Sequence, residues 1–358
     1  MADLLKNLYS KEFVNELSSA LKNSTPLFDH KKFDKAVFDK NWANRELKDR
    51  MHHITEMISI CYDANYLDQL KTLSKIAPNF KGFPAVVFPN FVEKYGQTHH
   101  EKSLEALAHF TKFSTSEFAI RPFLKSKPDT IEMLYSWSKD KNFHVRRLSS
   151  EGCRPLLPWA MKLEQYVKDP LPIIPILVRL KNDKEDYVYR SVANNLNDIS
   201  KNHPALVLDL AEKWIGQTNT TDRVLKHALR TLLKKGNQSS MKLFGFGSTS
   251  EINVNLFSAE KSDLKIGDST RLFFSCLNIG KSAKFRFEYE VSYLKKNNSY
   301  NKKVFQISEK ELAKKQSDNF SKKIDFKNLS TRKHYSGLHY VTLKINGVLK
   351  NRIEINLK

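Results

Sequence analysis

The stretch Gly236-Asn237-Gln238-Ser239-Ser240, followed by Gly245-Phe246-Gly247-Ser248-Thr249-Ser250, divides two unlike textures. Before it, apolar residues recur three to four apart, the spacing of helices; after it, runs rich in Phe, Tyr, Val and Ile follow a period of two. Gly and Ser at this density make a hinge composition. Gly245-x-Gly247 is too short to cradle a phosphate and reads as linker only. The expectation is a multidomain chain: an all-α domain over residues 1–240, a linker over 241–250, and an all-β domain over 251–358.

Downstream of the hinge, strands are expected at Ile252–Phe257, Thr270–Asn278, Phe285–Leu294, Lys303–Ile307, Ser321–Phe326, His339–Ile345 and Leu349–Leu357. Asn346-Gly347 between the last two is a strong signal for a two-residue type I′ hairpin. Seven short strands in this length fit an immunoglobulin-like β-sandwich, by strand count alone, since no Cys-Trp-Cys pattern is present. Lys295-Lys296-Asn297-Asn298 falls in an inter-strand loop. Its lysines suit phosphate contacts, and equally suit keeping a sheet edge from pairing.

Upstream, three helices repeat one pattern. Val145 and Leu148 are apolar with Arg147 and Glu151 on a polar side; Val188, Val192 and Leu196 accompany Arg190, Asn194 and Asp198; Val224, Ala228 and Leu232 accompany Lys226, Arg230 and Lys234. Each polar row follows its apolar row by two residues, about 200° round a helix. The register moves by 43 and then 36 residues, the period of HEAT-type solenoids, whose inner helices line one surface. With apolar rows facing neighbouring repeats, Arg147, Arg190, Lys226 and Arg230 would run along a positive groove suited to a phosphate backbone. Any one row alone is also explained by ordinary i,i+4 salt bridging.

Charge agrees with that reading. The 358 residues hold 60 Lys+Arg against 39 Asp+Glu, a net charge of +21, which implies a polyanionic partner, either nucleic acid or an anionic membrane surface. Residues 1–240 carry 37 basic and 28 acidic side chains and residues 241–358 carry 23 and 11, so both parts are basic. Three scattered cysteines without a CxxC pair exclude a disulfide framework or cysteine zinc site and fit a reducing cytoplasm. The longest apolar run, Leu171 to Leu180, is short and broken by Pro172 and Pro175, so no spanning helix is expected. Met1 to Lys22 lacks the apolar core of an export signal. The adjacent pairs His52-His53 and His99-His100 point to different helix sides and lack further ligands, so no metal or other cofactor is expected.

Carboxylates are rare in a phosphate-binding groove unless they act. Glu151 follows Arg147 by one turn, Asp198 extends the Arg190–Asn194 row, and Glu117 precedes Arg121 by four. Glu117, after Ser114-Thr115-Ser116, is also well placed merely to cap a helix. Pro155 and Pro158 end the helix of Glu151 and set Trp159 at a corner, where a Trp is commonly core.

The stretch Arg146-Arg147-Leu148-Ser149-Ser150-Glu151-Gly152-Cys153-Arg154-Pro155-Leu156-Leu157-Pro158-Trp159 closely resembles the signature of AlkC-type alkylpurine DNA glycosylases, members of the AlkC/AlkD superfamily of HEAT-like repeat enzymes. A helical solenoid followed by an immunoglobulin-like domain is also the AlkC order of parts, so the resemblance spans essentially the whole chain. It implies Glu151 as catalytic carboxylate, Glu117 and Asp198 as second and third acids, Trp159 as aromatic wall, and Arg147 as a groove arginine on DNA. With it, Arg146, Arg154, Arg190, Lys226, Arg230, Lys295 and Lys296 form the expected DNA-contacting set. The family excises cationic alkylated bases such as 3-methyladenine, with 3-methylcytosine also associated, from duplex DNA without extruding the base into a deep pocket. The implied protein is a monomeric base-excision-repair enzyme of the bacterial cytosol, associated with the nucleoid during repair, and with DNA as the implied polyanion no membrane partner is expected. Composition and periodicity without this block favour a non-catalytic HEAT-repeat scaffold for DNA or protein.

Overall fold

A computed structural model describes residues 4–329 and 332–358. Two compact units form: the chain to His203 with Trp214–Ala228, and Pro204–Lys213 with Leu229–Lys358.

The first unit is a succession of helices, several begun by a side-chain cap. Ser10, Asp29, Asn65 and Asn142 each accept a backbone N–H at the start of the helices Lys11–Ser24, His30–Val37, Tyr66–Ile76 and Phe143–Gly152. The helix Asp186–Ile199 packs against both Phe143–Gly152 and Asn219–Ala228. All the apolar residues of the three repeating rows are buried, as their spacing requires. Small polar groups interlock the first pair: Ser191 Oγ donates to Ser150 Oγ at 3.0 Å and Asn195 Nδ2 to Ser150 O at 2.8 Å.

The third row departs from expectation. Leu229 leaves helical geometry with ψ near 5°, so the helix ends at Ala228 and Arg230–Lys235 is a separate helix. Lys226 and Arg230, both half-buried, therefore do not share one helical face, and Arg230 belongs to the second unit. Among the described residues no helix is long and apolar enough to cross a membrane.

The second unit is a two-sheet sandwich with flanking helices. Its strands are β1 (Ile252–Ala259), β2 (Asp263–Leu264), β3 (Ser269–Asn278), β4 (Ala283–Leu294), β5 (Tyr300–Leu312), β6 (Ser317–Asp325), β7 (Gly337–Ile345) and β8 (Val348–Leu357). One sheet has order β1-β3-β6, the other β2-β8-β7-β4-β5. All seven expected strands are present; β2, two residues parallel to β8, is too short to leave a period. Alternate residues of β4, Phe285, Phe287, Tyr289 and Val291, enter the core with Leu272, Phe274, Val341, Leu343 and Ile355. Asn346 and Gly347 have φ of 46° and 78°, the positive pair a type I′ turn needs.

The expected linker is instead built into this unit. Asn237 caps a helix at Gln238–Leu243, and Leu233, Met241 and Phe246 pack together. Gly247 N donates to Lys284 O at 2.9 Å, and Asn346 Nδ2 donates to Gly247 O at 2.8 Å. Lys344 Nζ caps the preceding helix through Lys234 O at 2.9 Å. Gly236 and Gly347 meet backbone to backbone, both at positive φ, where a methyl on either would crowd the other's main chain. Polar Gly/Ser composition here marks close packing of turns rather than slack chain.

Candidate active site

The three acids come from distant parts of the first unit and meet at the C-terminal end of Phe143–Gly152. Glu117 stands in the turn before the helix Arg121–Ser126, not in a helical first turn, and its partner is Arg147 rather than Arg121. Arg147 Nη1 donates to Glu117 Oε2 and, at 3.1 Å, to Thr115 Oγ1, which itself donates to Glu117. Arg147 Nη2 reaches Glu151 Oε1 at 3.6 Å. Arg154 Nη1 donates to the same Glu151 oxygen at 2.6 Å, and its Nε to Asp198 Oδ2 at 2.9 Å. Lys201 Nζ completes the chain on Asp198 Oδ1 at 3.0 Å.

Six charges thus alternate, Glu117–Arg147–Glu151–Arg154–Asp198–Lys201, with no net charge. The carboxylates are nearly buried, side-chain exposures being 11% for Glu117, 7% for Glu151 and 2% for Asp198. Buried ions survive only when paired and hydrogen-bonded, and here each acid has a cation. Burial works against the guanidinium charges of Arg147 and Arg154, yet the adjoining carboxylates outweigh it and hold both above the ordinary arginine value. The ring of Tyr187, in the first turn of Asp186–Ile199, lies 4.4 Å from the Arg147 guanidinium. Burial, the largest influence, lifts its hydroxyl pKa.

Three expected DNA contacts have buried partners instead, Arg147 being held by Glu117 and Glu151. Arg146 grips Asp183 with two bonds of 2.7 and 2.9 Å and also donates to the carbonyls of Asp140 and Lys141, so its guanidinium is spent on the loop before Asp186. Arg154, buried between two carboxylates, holds the acids in place and cannot also reach phosphate. Arg190 is exposed and paired with Asp186 at 2.7 Å, and Lys295 and Lys296 are exposed in the β4–β5 turn.

Trp159 does not join the core. It is 62% exposed, with φ of 64°, rare for a bulky residue. Its carbonyl accepts from Lys48 Nζ, and its loop borders a cavity of about 90 Å³ lined also by Met51, His52, Phe83, Phe118 and Met161. Phe118 follows Glu117 directly, so the same turn serves the acids and the cavity.

Arg121 is legible in the sequence only as a neighbour of Glu117, yet it is fully buried. Its Nε donates to Met161 O at 2.8 Å, and its Nη1 to Gly152 O at 3.0 Å and Arg154 O at 2.8 Å. Burial depresses its pKa to about 10. Tyr187 and Lys201 also escape a reading of the sequence, because their partners are set by tertiary packing. Among the described residues no group of His, Cys, Asp and Glu is arranged to hold a metal ion.

Comparison with known proteins places this arrangement. The family described as "DNA alkylation repair enzyme" matches residues 100–235, which include all three acids and Trp159. The family described as "Uncharacterised protein YhaZ, C-terminal Ig-like domain" matches residues 253–358. The chain is 39% identical over its whole length to YhaZ of Bacillus subtilis strain 168, covering 100% of both. The Pseudomonas fluorescens alkylpurine DNA glycosylase AlkC, solved bound to DNA containing an abasic site analogue, superposes with a TM-score of 0.96 at 33% identity, over 99% of this chain and 100% of that one. The chain belongs to the AlkC-type family of DNA alkylation-repair glycosylases, in which a HEAT-like helical region precedes an immunoglobulin-like domain.

Proposed function

We propose that the protein hydrolyses the N-glycosidic bond of cationic alkylated bases, 3-methyladenine and also 3-methylcytosine, in duplex DNA. The observation that carries this reading is the state of Glu151: a nearly buried carboxylate whose Oε1 is held by Arg154 and approached by Arg147. Methylation places a formal positive charge on the base. When the C1′–N bond breaks, its electron pair leaves with the base, which departs neutral, and positive charge appears on the deoxyribose. A fixed carboxylate stabilises that charge without reorganising, which is commonly the largest catalytic contribution. Water then bonds C1′ from the opposite face, and its proton passes to a carboxylate and on to solvent. No acid is needed to assist the leaving group, which confines the chemistry to cationic lesions.

Glu151 and Glu117 are the acids for the sugar and its water. Asp198, with both oxygens engaged by Arg154 and Lys201, sets the position of Arg154. The exposed indole of Trp159 offers a negative π-face to the cationic sugar or base. DNA phosphates meet Arg190, Lys226, Arg230, Lys295 and Lys296, while Arg147, held between Glu117 and Glu151, positions the acids. A cleft of about 630 Å³ in the second unit offers further cations to a phosphate backbone, since Lys234, Lys235, Lys302, Lys303, Arg332 and Lys344 surround the one acid Glu290.

The test is to incubate the protein with duplex DNA treated with a methylating agent and to identify released bases by chromatography. Release of 3-methyladenine and 3-methylcytosine is expected. A scaffold that only binds DNA would release none.

A further inference from the structure

A buried guanidinium is ordinarily met by a carboxylate. Arg121 is met by three backbone carbonyls, and they belong to two different pieces of the site. Gly152 and Arg154 lie at the C-terminal end of the helix that carries Glu151, where the last carbonyls lack helical partners and the helix dipole is negative. Met161 lies two residues beyond Trp159, on the return of its loop. The approach is close as well as polar. A methyl on Gly152 would stand 2.6 Å from Ile120 Cγ2, so only glycine lets the Arg121 segment press against that helix end.

The Trp159 loop itself is under conformational cost. A tryptophan at φ 64° with 62% of its surface exposed persists only where surroundings dictate it. Those surroundings include two cations on flanking carbonyls, Lys48 on Trp159 O and Arg121 on Met161 O. A planar guanidinium with donors fixed in a fork can hold the helix end and the loop at one mutual spacing; a lysine ammonium cannot.

We infer that Arg121 is a positioning residue that fixes the Trp159 loop to the helix end bearing Glu151 and Arg154, so that indole and carboxylate address one nucleotide. This rests on the glycosylase reading above. Arg121 touches no substrate and acts through the groups it holds, the Trp159 loop and the helix end that carries Glu151.

The experiment is a double-mutant cycle on the full chain: parent, Arg121→Lys, Trp159→Phe and the double variant. Each is assayed for single-turnover base release from methylated duplex DNA, for affinity to an abasic-site duplex and for cooperative melting. Arg121→Lys is expected to fold and to bind abasic DNA within about threefold of the parent, while its rate falls roughly 100-fold, as misplacement of a site group by about 1 Å does. Trp159→Phe is expected to cost roughly tenfold in the parent and less than about threefold beside Arg121→Lys, because coupled groups are not additive. Losses that multiply independently would overturn the inference, as would lost affinity at an unchanged rate. Failure of both Arg121→Lys and Arg121→Gln to fold would assign Arg121 to stability alone and also overturn it. A parent that releases no base would instead sink the glycosylase reading.

Discussion

Two networks of buried charge can be set side by side. In the first unit, Glu117, Arg147, Glu151, Arg154, Asp198 and Lys201 alternate in sign across segments more than eighty residues apart. In the second, Arg286 donates to Glu288 at 2.7 Å and to Glu309 at 2.6 Å, with Lys284 at 3.6 Å from Glu309, all on the neighbouring strands β4 and β5. Both balance their charges. Each ends in a lysine of the same exposure, 39% for Lys201 and for Lys284. They differ in origin and in their acids: the first draws on separate segments and adjoins a partly exposed Tyr187, whereas Glu288 is wholly sealed and keeps one buried oxygen without a partner. Buried charge alone therefore does not mark a catalytic site. What sets the first network apart is that its acids converge from separate segments of the chain rather than from neighbouring strands.

The largest effect expected from breaking this contrast is on rate. Glu151→Gln keeps shape and hydrogen-bonding capacity but removes the charge that faces the developing cation. Base release should fall by about 10³-fold or more, as for loss of a preorganised electrostatic group. Binding of an abasic-site duplex should remain near that of the parent, which a gel-shift titration measures. Equal loss of binding would mark Glu151 as structural.

The counterpart in the sealed network should move stability and spare the rate. Glu288→Gln leaves Arg286 with one of its two carboxylates, at a cost of about 3 kcal/mol, since half-broken buried pairs are expensive. Thermal melting should shift down while single-turnover base release, measured well below the transition, stays unchanged. A lowered rate would mean that the two networks are not functionally separate. Gly347→Ala should be of similar size, because it crowds the Gly236 backbone and strains a positive-φ turn position.

The comparison also explains which parts can be read from sequence. Elements whose signal is local are legible: the alternation of β4, the Asn346-Gly347 turn, and the apolar rows through Val145, Val188 and Val224. The family block around Glu151 is legible because its residues are contiguous. What escapes is set by distant partners. Arg146 and Arg154 look like phosphate contacts until Asp183 and Asp198 are seen beside them. The Gly/Ser stretch looks like a tether until Gly347 and Lys284 are seen to meet it. Charge patterning shows that cations are plentiful but not which ones already have acids.

That distinction is sharpened by the smallest expected effects. Among the basic residues that the sequence suggests as DNA contacts, those already paired inside the fold should respond to substitution differently from those left in solvent. Lys295 and Lys296 stand in the exposed turn between β4 and β5. Replacing both with Gln should leave melting and the base-release rate of bound DNA unchanged. It should weaken affinity for any duplex alike and reduce the slope of log affinity against log salt by about 0.9 for each phosphate no longer neutralised, up to about 1.8. Arg146→Gln should do the reverse, lowering the melting temperature through loss of the Asp183 clamp with no change in slope. An unchanged slope for the lysine pair would remove that turn from the DNA interface, whereas a reduced slope for Arg146→Gln would show that DNA binding opens the clamp.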